Sequence, residues 1–101
     1  ILGLETAVGT FFSTLVATGI LSITEVIEKL TVAPARILGL EAGTLTPGKA
    51  ADITVIDPDL SWQVDANAFR SLSRNTPFHG WTLRGRAVLT LLGGRITHNL
   101  L

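Results

Sequence analysis

The sequence predicts an α/β chain in which helices come first and strands follow, incomplete as a stand-alone fold. Three observations predict it. Apolar residues recur at helical spacing up to about residue 40, and with period two after it. Of the 101 residues, 47% are hydrophobic and only 16% are charged, with a mean hydropathy of +0.46; ordinary soluble domains carry about 25% charged residues. A chain this short buries only roughly 60–65% of its extended surface. So little charge on so much surface indicates that part of it faces protein. The sequence opens inside an apolar segment at Ile1 and contains no methionine, which reads as part of something larger.

Leu4, Val8, Phe11 and Leu15, with Phe12 and Val16 beside them, predict a helix over residues 4–18. Its opposite face, with Thr6, Gly9, Thr10, Ser13 and Ala17, is small and uncharged, as in a helix packed on both sides. Gly19 ends it. Ser22-Ile23-Thr24-Glu25 has the form of a capping box, with Leu21 and Val26 at the staple positions, and starts a second helix over residues 23–30. Thr31 is placed to cap a third helix over residues 32–38, with Pro34 in its first turn and Gly39 after its end.

Beyond Gly39 the period changes. Residues 43–45 read as a short extended piece, and Thr46-Pro47-Gly48-Lys49 as a turn. Residues 51–57 alternate and are rich in β-branched side chains, predicting a strand closed by Asp57-Pro58-Asp59. Residues 62–64 read as another short strand. Asp65 is placed to cap a helical turn over residues 66–72, and residues 73–80 form a loop. Residues 81–92 predict a long strand with a bulge or bend at Gly85, and Gly93-Gly94 a two-residue hairpin turn to a strand at 95–97. On this pattern Ile53 and Val55 are expected to be buried on one face, with Val88 and Thr90 pairing near Ile96. Four short strands without a second layer leave an apolar face open.

Composition excludes several functions. Eight basic and eight acidic residues cancel, which argues against a nucleic-acid or anionic-membrane partner. The absence of cysteine removes disulfides and thiolate metal sites. Residues 6–24 are free of charge over about the length of a bilayer span. Gly, Ser and Thr nevertheless fill nearly half of that window, and Glu5 stands where a signal peptide needs positive charge, so neither a span nor a leader is expected.

Chemistry-bearing residues are few. His79 and His98 lack metal-ligand spacing and read as structural or solvent-exposed. Asp52 and Asp57 stand at opposite ends of a strand. Asp52 suits backbone hydrogen bonds, and Asp57 and Asp59 suit turn chemistry. Arg84, Arg86 and Arg95 line either a small anion-facing surface or a solvated sheet face. Trp62 and Trp81 suit core or interface anchors. No catalytic, cofactor-binding or metal-binding residue is assigned.

Residues 43–57, GTLTPGKAADITVID, resemble a late-sequence pattern of the amidohydrolase superfamily, and residues 31–40, TVAPARILGL, are similar to the segment that precedes it there. Asn75-Thr76-Pro77-Phe78, then Gly80, Leu83, Gly85, Arg86 and Gly93-Gly94-Arg95, together with Gly3-Leu4-Glu5-Thr6-Ala7, narrow the resemblance to the dihydroorotases of the long-chain bacterial type. It covers nearly all of residues 1–97.

The resemblance implies a (β/α)8 barrel hydrolase with a small β-sandwich built from both chain ends. Residues 1–40 would be the last barrel helices, and residues 41–101 the C-terminal share of the sandwich. The implied reaction is the reversible cyclisation of N-carbamoyl-L-aspartate to dihydroorotate in pyrimidine synthesis, in the cytoplasm, with zinc as the metal. The implied ligands are histidines, an aspartate and often a carboxylated lysine at strand ends of the barrel. No position here matches one; Lys29 falls on an outer helix and Lys49 in a turn. This part alone is therefore expected to bind no zinc and to be inactive. The implied partners are the remainder of the same enzyme and a homo-oligomer or aspartate transcarbamoylase. Two alternatives stay open: a non-catalytic relative that partners aspartate transcarbamoylase, and a related cyclic amidohydrolase such as an allantoinase or hydantoinase.

Overall fold

The computed structural model describes residues 3–101. Ile1 and Leu2, the first residues of the expected 1–40 part, lie outside the described residues. A helical segment opens with a 3-10 turn at Leu4–Thr6, continues as helix α1 at Ala7–Phe11, and widens into a π-helical turn at Phe12–Val16. The expected helix over residues 4–18 is thus present but not uniformly α. Gly19 ends it, and the Leu21 amide donates to the Leu15 carbonyl at 3.0 Å.

Helix α2 spans Ile23–Leu30. Its capping box is complete: the Glu25 amide donates to Ser22 Oγ at 3.1 Å, and the Ser22 amide donates to Glu25 Oε1 at 3.1 Å. Helix α3 spans Val32–Leu38 and stops at Gly39, whose neighbour Leu40 donates to the Ala35 carbonyl at 2.8 Å. Thr31 does not cap α3 with its side chain. Its hydroxyl instead donates backwards to the Ile27 carbonyl at 2.7 Å, because one residue separates the two helices and the preceding turn offers the nearer acceptor.

The strands make one antiparallel sheet in the order β1-β2-β3: β1 is Ile53–Gln63, β2 Thr82–Leu92 and β3 Arg95–Asn99. Three strands stand where four were expected, because Asp57-Pro58-Asp59 does not close a strand. Ladder pairs Asp57–Arg86 and Ser61–Arg84 leave four steps on β1 against two on β2. The excess is a bulge, which accommodates the missing amide of Pro58. The Asp59 amide closes on Asp57 Oδ1 at 2.9 Å within it. Trp62 and Gln63 of the expected 62–64 strand are the last two residues of β1, and Val64 follows its end. Residues 43–45 form no strand; Thr44 and Leu45 line a cleft with Ile27 and Leu30 and have no ladder partner. The turn after Asp65 is also shorter than expected, a 3-10 turn at Ala66–Ala68, since Phe69 turns extended to enter the core.

Two contacts seat the helical segment on the sheet. Gly9 lies so close to β1 and β2 that a Cβ there would fall 3.0 Å from both Leu83 and Trp62. One helical period on, Phe12 fills the notch at Gly85, which has φ +96° and whose added Cβ would fall 2.7 Å from the Phe12 Cβ. Ser13 then bridges the bend, its Oγ accepting from the Arg84 amide at 2.8 Å and donating to the Arg84 carbonyl at 3.3 Å. Val64, Phe69 and Leu83 form the core cluster, with Trp62 and Phe78 packed against it.

The other sheet face is open. Ile53 opposes Leu91, Leu91 opposes Ile96 and Val55 opposes Leu89, an apolar row across three strands. Burial of Val55 was expected, yet it is 42% exposed and Ile96 is 56% exposed. Ile56 turns toward Val8 and Ile27, so Val55 beside it faces the uncovered side. Val88 is buried, and Thr90 pairs with His98 while Leu91 takes Ile96.

Candidate functional site

A concavity with several polar and charged side chains lies where the helical segment, the 66–80 loop and the sheet meet. Asp65 starts the loop's 3-10 turn by accepting from the Asn67 amide at 2.9 Å, and the Ala66 amide donates to His79 Nδ1 at 3.0 Å. This curls the chain so that, after the turn, the Arg70 and Ser71 amides face Glu5 in the first helical turn. The Arg70 amide donates to Glu5 Oε1 at 3.0 Å and the Ser71 amide to Oε2 at 3.1 Å. Ser71 Oγ donates to the same Oε2 at 2.7 Å. The Ser71 hydroxyl above all, with the two amides and the Arg74 charge, holds the carboxyl below the usual glutamate range against the opposing effect of burial. Arg74 in turn donates to the Ser71 carbonyl.

A cleft of about 670 Å³ runs from there to the sheet, lined by Glu5, Arg70, Ser71, Arg86, His98 and Asn99 among others. It leads into a smaller one of about 230 Å³ at Val8 and Trp62. The Arg86 guanidinium carbon sits 4.5 Å from the Trp62 ring centre, a cation–π stack. Trp62 Nε1 donates to the Gly85 carbonyl at 2.9 Å. His98 Nε2 donates to the Ala87 carbonyl at 3.0 Å. Structural and solvent-exposed readings are both open for the histidines from sequence, and each ring here has a backbone partner.

The other singled-out residues are dispersed. Asp52 Oδ1 accepts from the Gly93 amide at 2.8 Å, tying the start of β1 to the β2–β3 turn. Arg84 pairs with Asp59 at 3.1 Å, Arg86 stacks on Trp62, and Arg95 stands at the hairpin opposite Leu92, so the three arginines do not gather on one ligand-facing surface. Trp81 meets Phe78 edge-on at 5.0 Å and remains 54% exposed. Sequence reasoning did not foresee the Glu5 contacts, which span 65 and 66 residues, and no local pattern announces them. Among the described residues no group of three or more His, Cys, Asp or Glu side chains is arranged to hold a metal ion.

A family model described as the amidohydrolase family matches residues 4–97. The chain belongs to the amidohydrolase family. Two similar relatives carry the name dihydroorotase. That of Pelotomaculum thermopropionicum is 53% identical over 94 residues, covering 93% of this chain and 22% of the relative. That of Syntrophus aciditrophicus is 49% identical over 96 residues, covering 95% and 22%. This amidohydrolase chain thus spans about 22% of the length of these curated relatives. Among solved structures it superposes on the L-hydantoinase (dihydropyrimidinase) from Arthrobacter aurescens with a TM-score of 0.89 and 36% identity, over 97% of this chain and 22% of that one. A dihydropyrimidinase from Brevibacillus agri shares the fold, with a TM-score of 0.83, 22% identity, and 91% and 20% coverage.

The stretches that carry the resemblance take distinct structural parts in this amidohydrolase chain. Residues 43–57 supply the crossing segment, the turn at 46–49 and the first half of β1. Asn75 to Phe78 lie in the loop held by Glu5, and Gly93-Gly94 make the hairpin turn.

Proposed function

We propose that this chain is the C-terminal part of a dihydroorotase, an enzyme that reversibly cyclises N-carbamoyl-L-aspartate to dihydroorotate in pyrimidine biosynthesis. The observation that carries the reading is the 53% identity to a relative of that name over nearly the whole chain. The described residues do not fit a zinc site, so the zinc of this reading would be held by ligands from the rest of the protein, and no catalytic step is assigned to residues described here. Their contribution is architectural: the helical segment, seated on the sheet, joins the barrel to the sandwich.

On the same reading the remainder of the polypeptide covers the open apolar face of the sheet and the exposed side of α3, where Ile37 is 83% exposed. No helix among the described residues is long and apolar enough to cross a membrane, and a cytoplasmic location goes with the reading. A second reading, a hydantoinase or dihydropyrimidinase, is favoured by the TM-score of 0.89 and the 36% identity to the Arthrobacter aurescens enzyme.

The test is to purify the whole protein that carries this chain, measure its zinc content, and assay it in parallel on N-carbamoyl-L-aspartate, dihydrouracil and a substituted hydantoin. Interconversion of N-carbamoyl-L-aspartate and dihydroorotate, with little turnover of the others, supports the first reading. Preferential opening of hydantoin or dihydrouracil establishes the second.

A further inference from the structure

One carboxylate joins the two parts of the chain at a place where no secondary structure does. Glu5 stands in the first helical turn and takes three donors from the Arg70–Ser71 corner at 2.7–3.1 Å, on both of its oxygens. All three are N–H or O–H groups pointing at the carboxylate. An ionised carboxylate accepts from every one of them. A carboxylic acid loses the charge that strengthens all three bonds; its own O–H is set hydrogen against hydrogen toward the Arg70 and Ser71 amides, which can only donate, and toward Ser71 Oγ it obliges the hydroxyl to turn and accept. Beyond Ser71 the chain has no regular structure until β2, and it carries the Asn75–Phe78 stretch.

We infer that Glu5 is a latch: its ionised carboxylate holds the 70–78 loop against the start of the helical segment, and its protonation releases that loop while the sheet stays formed. The inference concerns this chain's own hydrogen bonds and does not depend on which ring the enzyme acts upon. The charged and titratable groups around Glu5 are Arg70 and Arg74 from the loop, and Arg86 from β2 and His98 from β3 across the cleft. The carboxyl is held below the usual 4.5 of a glutamate, first by the Ser71 hydroxyl. A lowered folded value fixes the sign: the latch contributes fully above that usual value and is lost as pH falls below it, through the lowered one.

Hydrogen–deuterium exchange on the full-length protein tests this, with rates corrected for the intrinsic pH dependence of exchange. In Glu5→Gln at neutral pH, amides 70 and 71 should exchange at least about tenfold faster while β1 and β2 keep their protection, the behaviour of a local opening. The unaltered protein should show the same release only in acid, and Glu5→Gln should show no further acid step. Ser71→Ala, which leaves both amides in place, should loosen the loop partly and keep the acid step. Unchanged protection of amides 70 and 71 in Glu5→Gln overturns the inference. So does an acid step that persists in Glu5→Gln, which would belong to another group such as His98, or a Ser71→Ala variant without any acid step.

Discussion

Gly85 is where backbone conformation and packing make the same demand. At φ +96° a side chain is strained, and the space a Cβ needs is taken by Phe12. Gly85→Ala should destabilise the whole protein by about 2–4 kcal/mol, combining backbone strain with overpacking; denaturant unfolding measures it. Adding Phe12→Ala relieves the clash but not the strain and opens space in the contact, so the double variant should not regain full stability. The bend at Gly85 was legible, because a lone glycine in an apolar run marks a bulge. Its purpose was not, because the side chain that fills the notch lies over seventy residues away in sequence. Separations of 65 to 71 residues likewise hid the roles of Glu5 and Ser13. Asp52, Asp57 and His79 were legible as structural groups because their spacing offered them no shared ligand.

Local signals fixed the helices. The Ser22–Glu25 box appears bond for bond, since a capping box uses only neighbours. Ser22→Ala should lower stability by about 1 kcal/mol, as typical for a lost helix cap, without changing the fold; thermal unfolding of the whole protein checks it. The strands were legible in kind but not in number. Pro58 looked like an end because proline cannot donate to a ladder, yet two extra residues let β1 pass over it. Only the partner strand reveals that, since register is a property of pairs. Pro58→Ala should be tolerated within about 0.5 kcal/mol, as at ordinary surface sites outside the core. Deleting Pro58 and Asp59 together should instead remove the bulge and leave Arg84 without its Asp59 partner, which a crystal structure of the variant would show.

At the scale of the molecule the surface is wrong for water. Ile37, Leu38, Leu40 and Leu45 are each more than half exposed along α3 and the segment after it, and Val55 and Ile96 are exposed on the far sheet face. Burying each such side chain is worth about 1.5–3 kcal/mol, and a few of them together match the entire stability of a small domain, about 5–15 kcal/mol. The isolated 101-residue chain should therefore self-associate and bind a hydrophobic dye; sedimentation and dye fluorescence check this, and a monomer that unfolds cooperatively would contradict it. Low charge with high hydropathy made that incompleteness legible.

The Phe12–Gly85 seat has a consequence for biosynthesis. Ser13 and its partner Arg84 are 71 residues apart, so at roughly 5–20 residues per second of translation the helical segment waits several seconds or more for its platform. Over that interval Phe12 and Val8 are nascent-chain surface. A ribosome stalled before residue 82 should present them to a holdase chaperone, and one stalled after the whole chain has cleared the exit tunnel should not.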